Sequence, residues 1–162
     1  MVFARSNYAA LAERCGDQVP GELFAPPGLS ENISVASFDE RKVCFGDVFQ
    51  LGSCKVRVTQ PRKPCPKVST HFGDSLALKA ATDMQMSGYF VRVVEPGTVQ
   101  AGDRFVLLER HFPEWPMERF MREYYATTYA REDLEALLAL PDLPEHPWRK
   151  KAKERLRSMA RA

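Results

Sequence analysis

Three prolines within six residues, Pro61, Pro64 and Pro66, constrain this chain more than any other feature of its sequence. Each proline lacks a backbone N–H and biases the residue before it towards extended geometry. Neither an ordinary helix nor a paired strand is expected to pass through such a segment. An alternating β-type run that ends at Thr59 leads into it. The sequence therefore predicts a stiff, extended loop over residues 60–67 directly after a strand.

The predicted loop holds one thiol, Cys65, between the cations Arg62, Lys63 and Lys67. Positive charge nearby favours the thiolate, which is both the nucleophile and the soft metal ligand. His71 follows six residues later, so a Cys–His nucleophile pair stays open, although an isolated histidine beside an aromatic is more often structural. The cations would also suit a ligand that ends in a phosphate, because lysine and arginine both pair with phosphate.

The remaining cysteines are interpreted as reduced, mostly buried thiols. No Cys-x-x-Cys pair occurs, and no histidine lies at zinc-finger spacing from a cysteine. A chain of 162 residues also has no need of disulfide staples inside a cell. The residues concerned are Cys15, Cys44 and Cys54, of which the last two lie in β-type runs.

The pattern Gln60-Pro61-Arg62-x-Pro64-Cys65-x-Lys67 resembles the signature of the MOSC family, the domains related to the C-terminal part of molybdenum-cofactor sulfurases. It is most similar to the bacterial branch that reduces N-hydroxylated bases such as 6-N-hydroxylaminopurine. Further matches flank the signature in order along most of the chain. They are Gly28–Ser34, Cys44–Asp47, Gly88–Val93, Pro96–Gly97 and Ala101–Asp103.

The resemblance implies a bound molybdenum cofactor, a molybdenum ion held by a pterin. It assigns Cys65 as the thiolate ligand of the metal and as the catalytic residue. The family is also associated with pyridoxal phosphate binding. The cofactor-binding residues that it implies are Glu31, Asn32, Gln60, Arg62, Lys63 and Lys67.

The activity implied by the resemblance is reduction of small N-hydroxylated bases or related N-oxygenated compounds. Electrons are expected from a separate flavin-dependent reductase, because no flavin or nicotinamide motif is visible in the sequence. The alternative is a non-catalytic module that binds or carries the cofactor, or a truncated remnant. Relatives usually carry early segments that this sequence lacks, so the expected barrel is short of its first strands. Completion by another chain, for example in a homodimer, is left open.

The hydrophobic periodicity predicts a mainly β domain, a barrel or a sandwich, followed by helices. The resemblance implies that these are a MOSC-type β-barrel domain over residues 1–110 and a small three-helix subdomain over residues 111–162. Alternation and β-rich composition predict strands at 42–45, 48–51, 54–59, 89–94 and 105–108. Helical spacing predicts helices at 6–14, 75–86, 117–125 and 131–140, and a last one from about residue 147.

Composition narrows the class of protein. A formal net charge of +2 is too small to indicate nucleic acid as the default partner. No run approaches the roughly 20 apolar residues of a membrane helix. The first residues lack the apolar core of a signal peptide. We therefore expect a cytoplasmic protein that binds neither membrane nor nucleic acid.

Overall fold

Six β-strands form the centre of the fold, which a computed structural model describes over residues 1–161 except for the side chain of His146. The strands are β1 (Val2–Ala4), β2 (Ile33–Val35), β3 (Val48–Leu51), β4 (Cys54–Pro61), β5 (Tyr89–Glu95) and β6 (Phe105–Glu109). They lie in one sheet in the order β2-β1-β5-β4-β3-β6. Only β1 and β2 pair in parallel; the other neighbours are antiparallel.

Six α-helices accompany the sheet. They are α1 (Ser6–Cys15), α2 (Lys67–Phe72), α3 (Ser75–Asp83), α4 (Met117–Tyr125), α5 (Arg131–Ala139) and α6 (Lys150–Met159). The sheet curls into a half-barrel and dominates the core, which confirms the prediction of a mainly β fold followed by a helical part. Within residues 1–161, no helix is long and apolar enough to cross a membrane.

The alternation along β4 behaves as its sequence predicts. Cys54, Val56 and Val58 are buried, whereas Arg57 and Thr59 between and after them are only partly buried. Successive strand residues point to opposite faces of a sheet, so one face of β4 contributes to the core and the other is available for function.

Two hydrophobic clusters fill the interior. The first joins the inside of the curled sheet to the helical segment, bringing Phe49 and Tyr89 into one cluster with Trp115 and Phe120. The second packs α1 against α2 and α3 and supports the segment that carries the cysteine. The boundary at residue 110 stays a prediction.

The predicted strand at 42–45 is wrong. This segment is a turn that makes one isolated bridge, between Cys44 and Pro116. The Asp47 carboxylate accepts a hydrogen bond from the Cys44 N–H at 2.9 Å, and the Asp47 N–H donates to the Cys44 carbonyl at 3.2 Å. A local side-chain acceptor therefore takes the N–H that a strand would have used in its ladder.

The extended loop predicted over 60–67 is shorter at both ends. β4 continues to Pro61, which pairs with Tyr89, and α2 already begins at Lys67. A proline at the end of a strand removes only one donor from the ladder. Pro66 has φ −55° and ψ −21°, so its fixed φ favours the start of a helix instead of opposing it. The extended connection is therefore limited to residues 62–65.

Candidate functional site

A small cavity beside the cysteine loop is lined by three basic side chains, those of Arg62, Lys67 and His71. Its volume is about 90 Å³, enough for a phosphate-sized group, and none of its lining residues is a carboxylate. Arginine and lysine are the side chains that proteins most often use to bind phosphate. This cavity, called the basic cavity below, is completed by Gly28, Leu29, Ser30 and Val68.

Two elements bring the three basic side chains together. Arg62 follows β4, where its backbone N–H donates to the Gly88 carbonyl at 2.8 Å and its guanidinium donates to the Leu29 carbonyl at 3.0 Å. Lys67 and His71 are four residues apart on α2, so they share a face of that helix. The combination therefore arises because the residue after β4 and one face of α2 line the same cavity.

The opposite wall requires a residue without a side chain at position 28. A Cβ added to Gly28 would lie 2.5 Å from the Leu23 carbonyl oxygen and 2.8 Å from that of Ala25. Real Cβ atoms do not approach backbone oxygens so closely. Ser30 has a φ of 59°, in the left-handed region that residues other than glycine seldom adopt. The sharp turn of the chain here places residues 28–30 in the wall of the cavity.

Cys65 is the last residue of the extended connection before α2, and its carbonyl accepts a hydrogen bond from the Val68 N–H at 3.0 Å. Its thiol is free and the residue is half-buried, unlike the other cysteines, which are all buried. Burial raises the pKa of the Cys44 thiol to about 11, so that thiol is protonated at neutral pH. Cys65 is therefore the least buried of the four cysteines, but it is not among the residues that line the basic cavity.

The structure does not bring Lys63 into the basic cavity. Its ammonium group donates to the Tyr124 hydroxyl at 3.0 Å and lies 5.0 Å from the centre of that ring. The hydrogen bond to Tyr124 raises the pKa of Lys63. Lys63 thus ties the cysteine loop to α4.

Glu31 and Asn32 are held by interactions inside the protein. The buried Glu31 carboxylate accepts hydrogen bonds from the Tyr8 hydroxyl at 2.8 Å, the Ser34 hydroxyl at 2.8 Å and the Leu29 N–H at 3.2 Å. The pKa of Tyr8 is raised mainly by burial and, to a smaller extent, by its hydrogen bond to Glu31. The Asn32 amide oxygen accepts from the Met1 amino group at 2.8 Å. Glu31 therefore shapes the Leu29 wall of the cavity without lining it.

Gln60 lies at a bulge of β4 opposite Phe90. Its side-chain oxygen is buried and has no hydrogen-bond partner within the described part of the chain. A buried acceptor without a donor is costly. Gln60 is not among the residues that line the basic cavity.

The sequence did not predict that His71 lines the basic cavity, nor that the side chains of Lys63 and Glu31 are bound by other residues. The sequence indicated His71 only as a partner for the Cys65 thiol, because the short helix that aligns His71 with Lys67 had not been predicted. The i, i+4 spacing of these two residues would have indicated the pairing once a helix was assumed. The hydrogen bonds between Lys63 and Tyr124 and between Tyr8 and Glu31 join residues far apart in sequence, so no local pattern predicts them.

Comparison with known sequences identifies the family. The sequence model described as MOSC domain matches residues 1–106. A protein named Reductase from Gibberella moniliformis is 32% identical over 140 residues, covering 85% of this chain and 24% of its own length. Protein YiiM of Escherichia coli is 32% identical over 108 residues, covering 67% of this chain and 47% of its own length. The chain thus spans between a quarter and a half of these curated relatives.

Comparison with solved structures gives the same result. The crystal structure of YiiM from Escherichia coli superposes with a TM-score of 0.85 at 26% identity, covering 97% of this chain and 76% of that protein. YiiM from Geobacillus stearothermophilus gives a TM-score of 0.83 at 26% identity, with 96% and 76% covered. Together, the matched domain model, the sequence relatives and the shared fold show that the chain belongs to the MOSC domain family, in the branch that contains YiiM.

Proposed function

We propose that this chain binds the molybdenum cofactor and acts as a reductase of N-hydroxylated bases or related N-oxygenated compounds. The observation that carries the proposal is the combination, within residues 62–71, of an accessible thiol with a cavity lined by basic side chains. A soft thiolate suits the metal, and the basic side chains suit the phosphate that ends the pterin.

The residues present fit such a group in three respects. Cys65 offers one thiolate for the metal. Arg62, Lys67 and His71 line a cavity that is the size of a phosphate and contains no carboxylate. The unpartnered Gln60 oxygen offers a buried acceptor, and a pterin ring carries N–H donors. The fit does not extend to Lys63, Glu31 and Asn32, whose side chains have partners elsewhere in the protein.

When bound, the cofactor would supply the two electrons that, together with two protons from solvent, reduce an N-hydroxyl group to an amine and water. The Cys65 thiolate would hold the metal of the cofactor, and the basic side chains would hold its phosphate. Glu31 would act indirectly, by fixing Leu29 in the cavity wall, and Lys63 by fixing the loop on α4. A small N-hydroxylated molecule would be the substrate, and a separate flavin-dependent reductase the electron donor.

A non-catalytic role as a carrier of the cofactor, or as a remnant of a longer enzyme, is the second candidate. One observation favours the remnant, namely that only Arg62 and Lys67 of the six residues predicted to bind cofactor line the basic cavity. Pyridoxal phosphate also ends in a phosphate and would suit this cavity equally well. The accessible thiol of Cys65 is the feature that favours molybdenum over pyridoxal.

The test is the variant Cys65→Ser. We expect it to lose reductase turnover and to bind less molybdenum, because a serine hydroxyl is not deprotonated at neutral pH and is a poor ligand for a soft metal site. The unfolding free energy should change by about 0.5 kcal/mol or less, as is typical of a residue outside the core. Elemental analysis, turnover of 6-N-hydroxylaminopurine and thermal melts measure the three quantities.

The matched control is Cys44→Ser, in which a buried thiol is replaced. Its hydroxyl enters a buried position, so we expect a loss of roughly 1–3 kcal/mol of stability with turnover per folded molecule unchanged. Bound molybdenum without turnover in the wild-type protein would favour the carrier role. If Cys65→Ser remains active but melts early, Cys65 is a core residue and the proposal is wrong.

A further inference from the structure

A second cavity, of about 300 Å³, lies where strands β4 and β5 meet the loops at 111–112 and 141–142. It shares no lining residue with the basic cavity, so it is a separate feature of the surface. Its volume is at the lower end of the range of small-molecule sites in proteins. This junction cavity is lined by Phe45, Gly46, Arg57, Val58, Thr59, Arg92, His111, Phe112, Pro141 and Asp142.

One side of the junction cavity carries two arginines whose placement is costly. Arg57 on β4 and Arg92 on β5 are direct partners in the strand register. Like charges directly opposite each other on neighbouring strands destabilise a sheet. Neither arginine makes an ion pair with any residue in the range 1–161. A bound anion would relieve this repulsion.

Arg57 also has an unsatisfied donor. Its Nε atom is buried and has no hydrogen-bond partner among the described residues. A buried donor without an acceptor costs about 1–3 kcal/mol, which a native protein normally avoids. The side chain is therefore ready to donate to an acceptor that enters the cavity.

The other side of the junction cavity is aromatic. The rings of Phe45 and Phe112 lie 5.6 Å apart between centroids and are tilted by 55° to each other. Pro141 adds a further apolar surface, and Asp142 is the one carboxylate among the lining residues. His111 is engaged with Glu109 through Nε2 at 2.9 Å. The lining of the cavity thus combines two cationic side chains with an apolar, aromatic surface.

We propose that the junction cavity binds a small organic anion in which a planar ring carries a phosphate or carboxylate group. Arg57 and Arg92 hold the anionic group, because two guanidinium forks can donate several hydrogen bonds to its oxygens. The ring lies against Phe45 and Phe112, where aromatic contacts add to the burial of its surface. This proposal is independent of molybdenum and of the role of Cys65.

The experiment is a titration of ¹⁵N-labelled protein followed by amide chemical shifts, with phenyl phosphate and benzoate as probes. We expect saturable shifts at Phe45, Arg57, Arg92 and Phe112 for at least one of the two probes, and the tighter probe identifies the anionic group. Phenol and inorganic phosphate, which each contain half of the ligand, are expected to bind about tenfold more weakly or worse.

The double variant Arg57→Gln/Arg92→Gln tests the cationic side, and we expect it to weaken probe binding by about tenfold or more. Arg14→Gln/Arg157→Gln is its control, since it removes the same charge from exposed helix positions outside the cavity and should leave binding unchanged. Phe112→Leu keeps both arginines and should weaken the ring-bearing probes while leaving the weak binding of inorganic phosphate unchanged.

Four results would each overturn the proposal. The first is the absence of saturable shifts for both probes. The second is a set of shifts centred on Arg62, Lys67 and His71 in place of the junction cavity. The third is an equal loss of binding in the double variant and in its control, which would indicate attraction by net charge alone. The fourth is inorganic phosphate binding as tightly as phenyl phosphate.

Discussion

The Glu40 carboxylate is buried and makes no ion pair with any residue that the structure describes. Its oxygens accept hydrogen bonds from the Asn7 side-chain amide at 2.7 Å and from the Gly88 N–H at 2.5 Å. These hydrogen bonds lower the pKa of Glu40, but burial has the larger effect and raises it above its ordinary value of 4.5. A raised folded-state pKa means that the folded protein retains a proton that the unfolded chain has lost.

Glu40→Gln should therefore change how stability depends on pH. In the wild-type protein, the contribution of protonated Glu40 to the free energy of unfolding is fully present below pH 4.5. It is lost as the pH rises from there through the folded-state pKa. Glutamine has no charge to bury, and a rotated Asn7 amide can offer it an acceptor. We expect the variant to gain stability relative to wild type as the pH rises, measured by urea unfolding between pH 4.5 and 8. A constant difference across this range would contradict the prediction.

At the scale of elements, an ion pair joins the turn before β3 to the residue after β6. Arg110 donates to both oxygens of Asp47, from Nε at 3.0 Å and from Nη2 at 2.7 Å, and also to the Lys42 carbonyl at 2.6 Å. The Asp47 side chain is 0% exposed, whereas that of Arg110 is 33% exposed. The bidentate pair thus holds the 42–47 turn against the edge of the sheet.

Arg110→Ala should lower the unfolding free energy by about 3 kcal/mol, because it leaves a buried carboxylate without its cation. Arg110→Lys keeps the charge but cannot donate through a planar fork, so an intermediate loss is expected. The control is Lys55→Ala, which breaks the exposed pair with Glu95 and should have a negligible effect. Chemical denaturation measures all three. Equal losses for Arg110→Ala and Lys55→Ala would show that burial of Asp47 is unimportant.

At the scale of the whole molecule, the sheet and the helical segment share one hydrophobic cluster. Trp115, Phe120 and Trp148 belong to the same cluster as Phe49 and Tyr89 of the sheet. Both tryptophans lie after the predicted domain boundary at residue 110. A shared core couples the stability of its two sides, so the helical segment is expected to unfold together with the sheet.

This coupling predicts a single unfolding transition. Tryptophan fluorescence reports the helical segment, and far-UV circular dichroism reports the whole chain. We expect the two signals to give the same urea midpoint and the same slope, as a two-state transition requires. A fluorescence transition at clearly lower urea would show that residues 111–161 unfold first and that the predicted boundary divides independent units.

Several features of this protein follow from the sequence alone. The strands predicted at 48–51, 54–59, 89–94 and 105–108 follow from β-rich composition. The strand at 54–59 also follows from a period-two alternation, which requires only that one face of the strand be buried. The break in regular structure at 62–65 follows from the covalent geometry of proline. The family follows from an ordered set of short motifs around Cys65. Each of these signals is local, because it depends on neighbours within a few residues.

The tertiary structure alone decided where the side chains of the site go. Lys63 is drawn away to Tyr124, 61 residues later, while Arg62 reaches back to Leu29 and faces the cavity. Glu31 is satisfied by Tyr8, and His71 joins Lys67 only because residues 67–72 become a helix. These outcomes depend on which groups meet across the folded chain. A hydrogen bond between distant residues leaves no periodic trace in the sequence, so only the packed structure could separate the cations that face the cavity from the one that secures the loop.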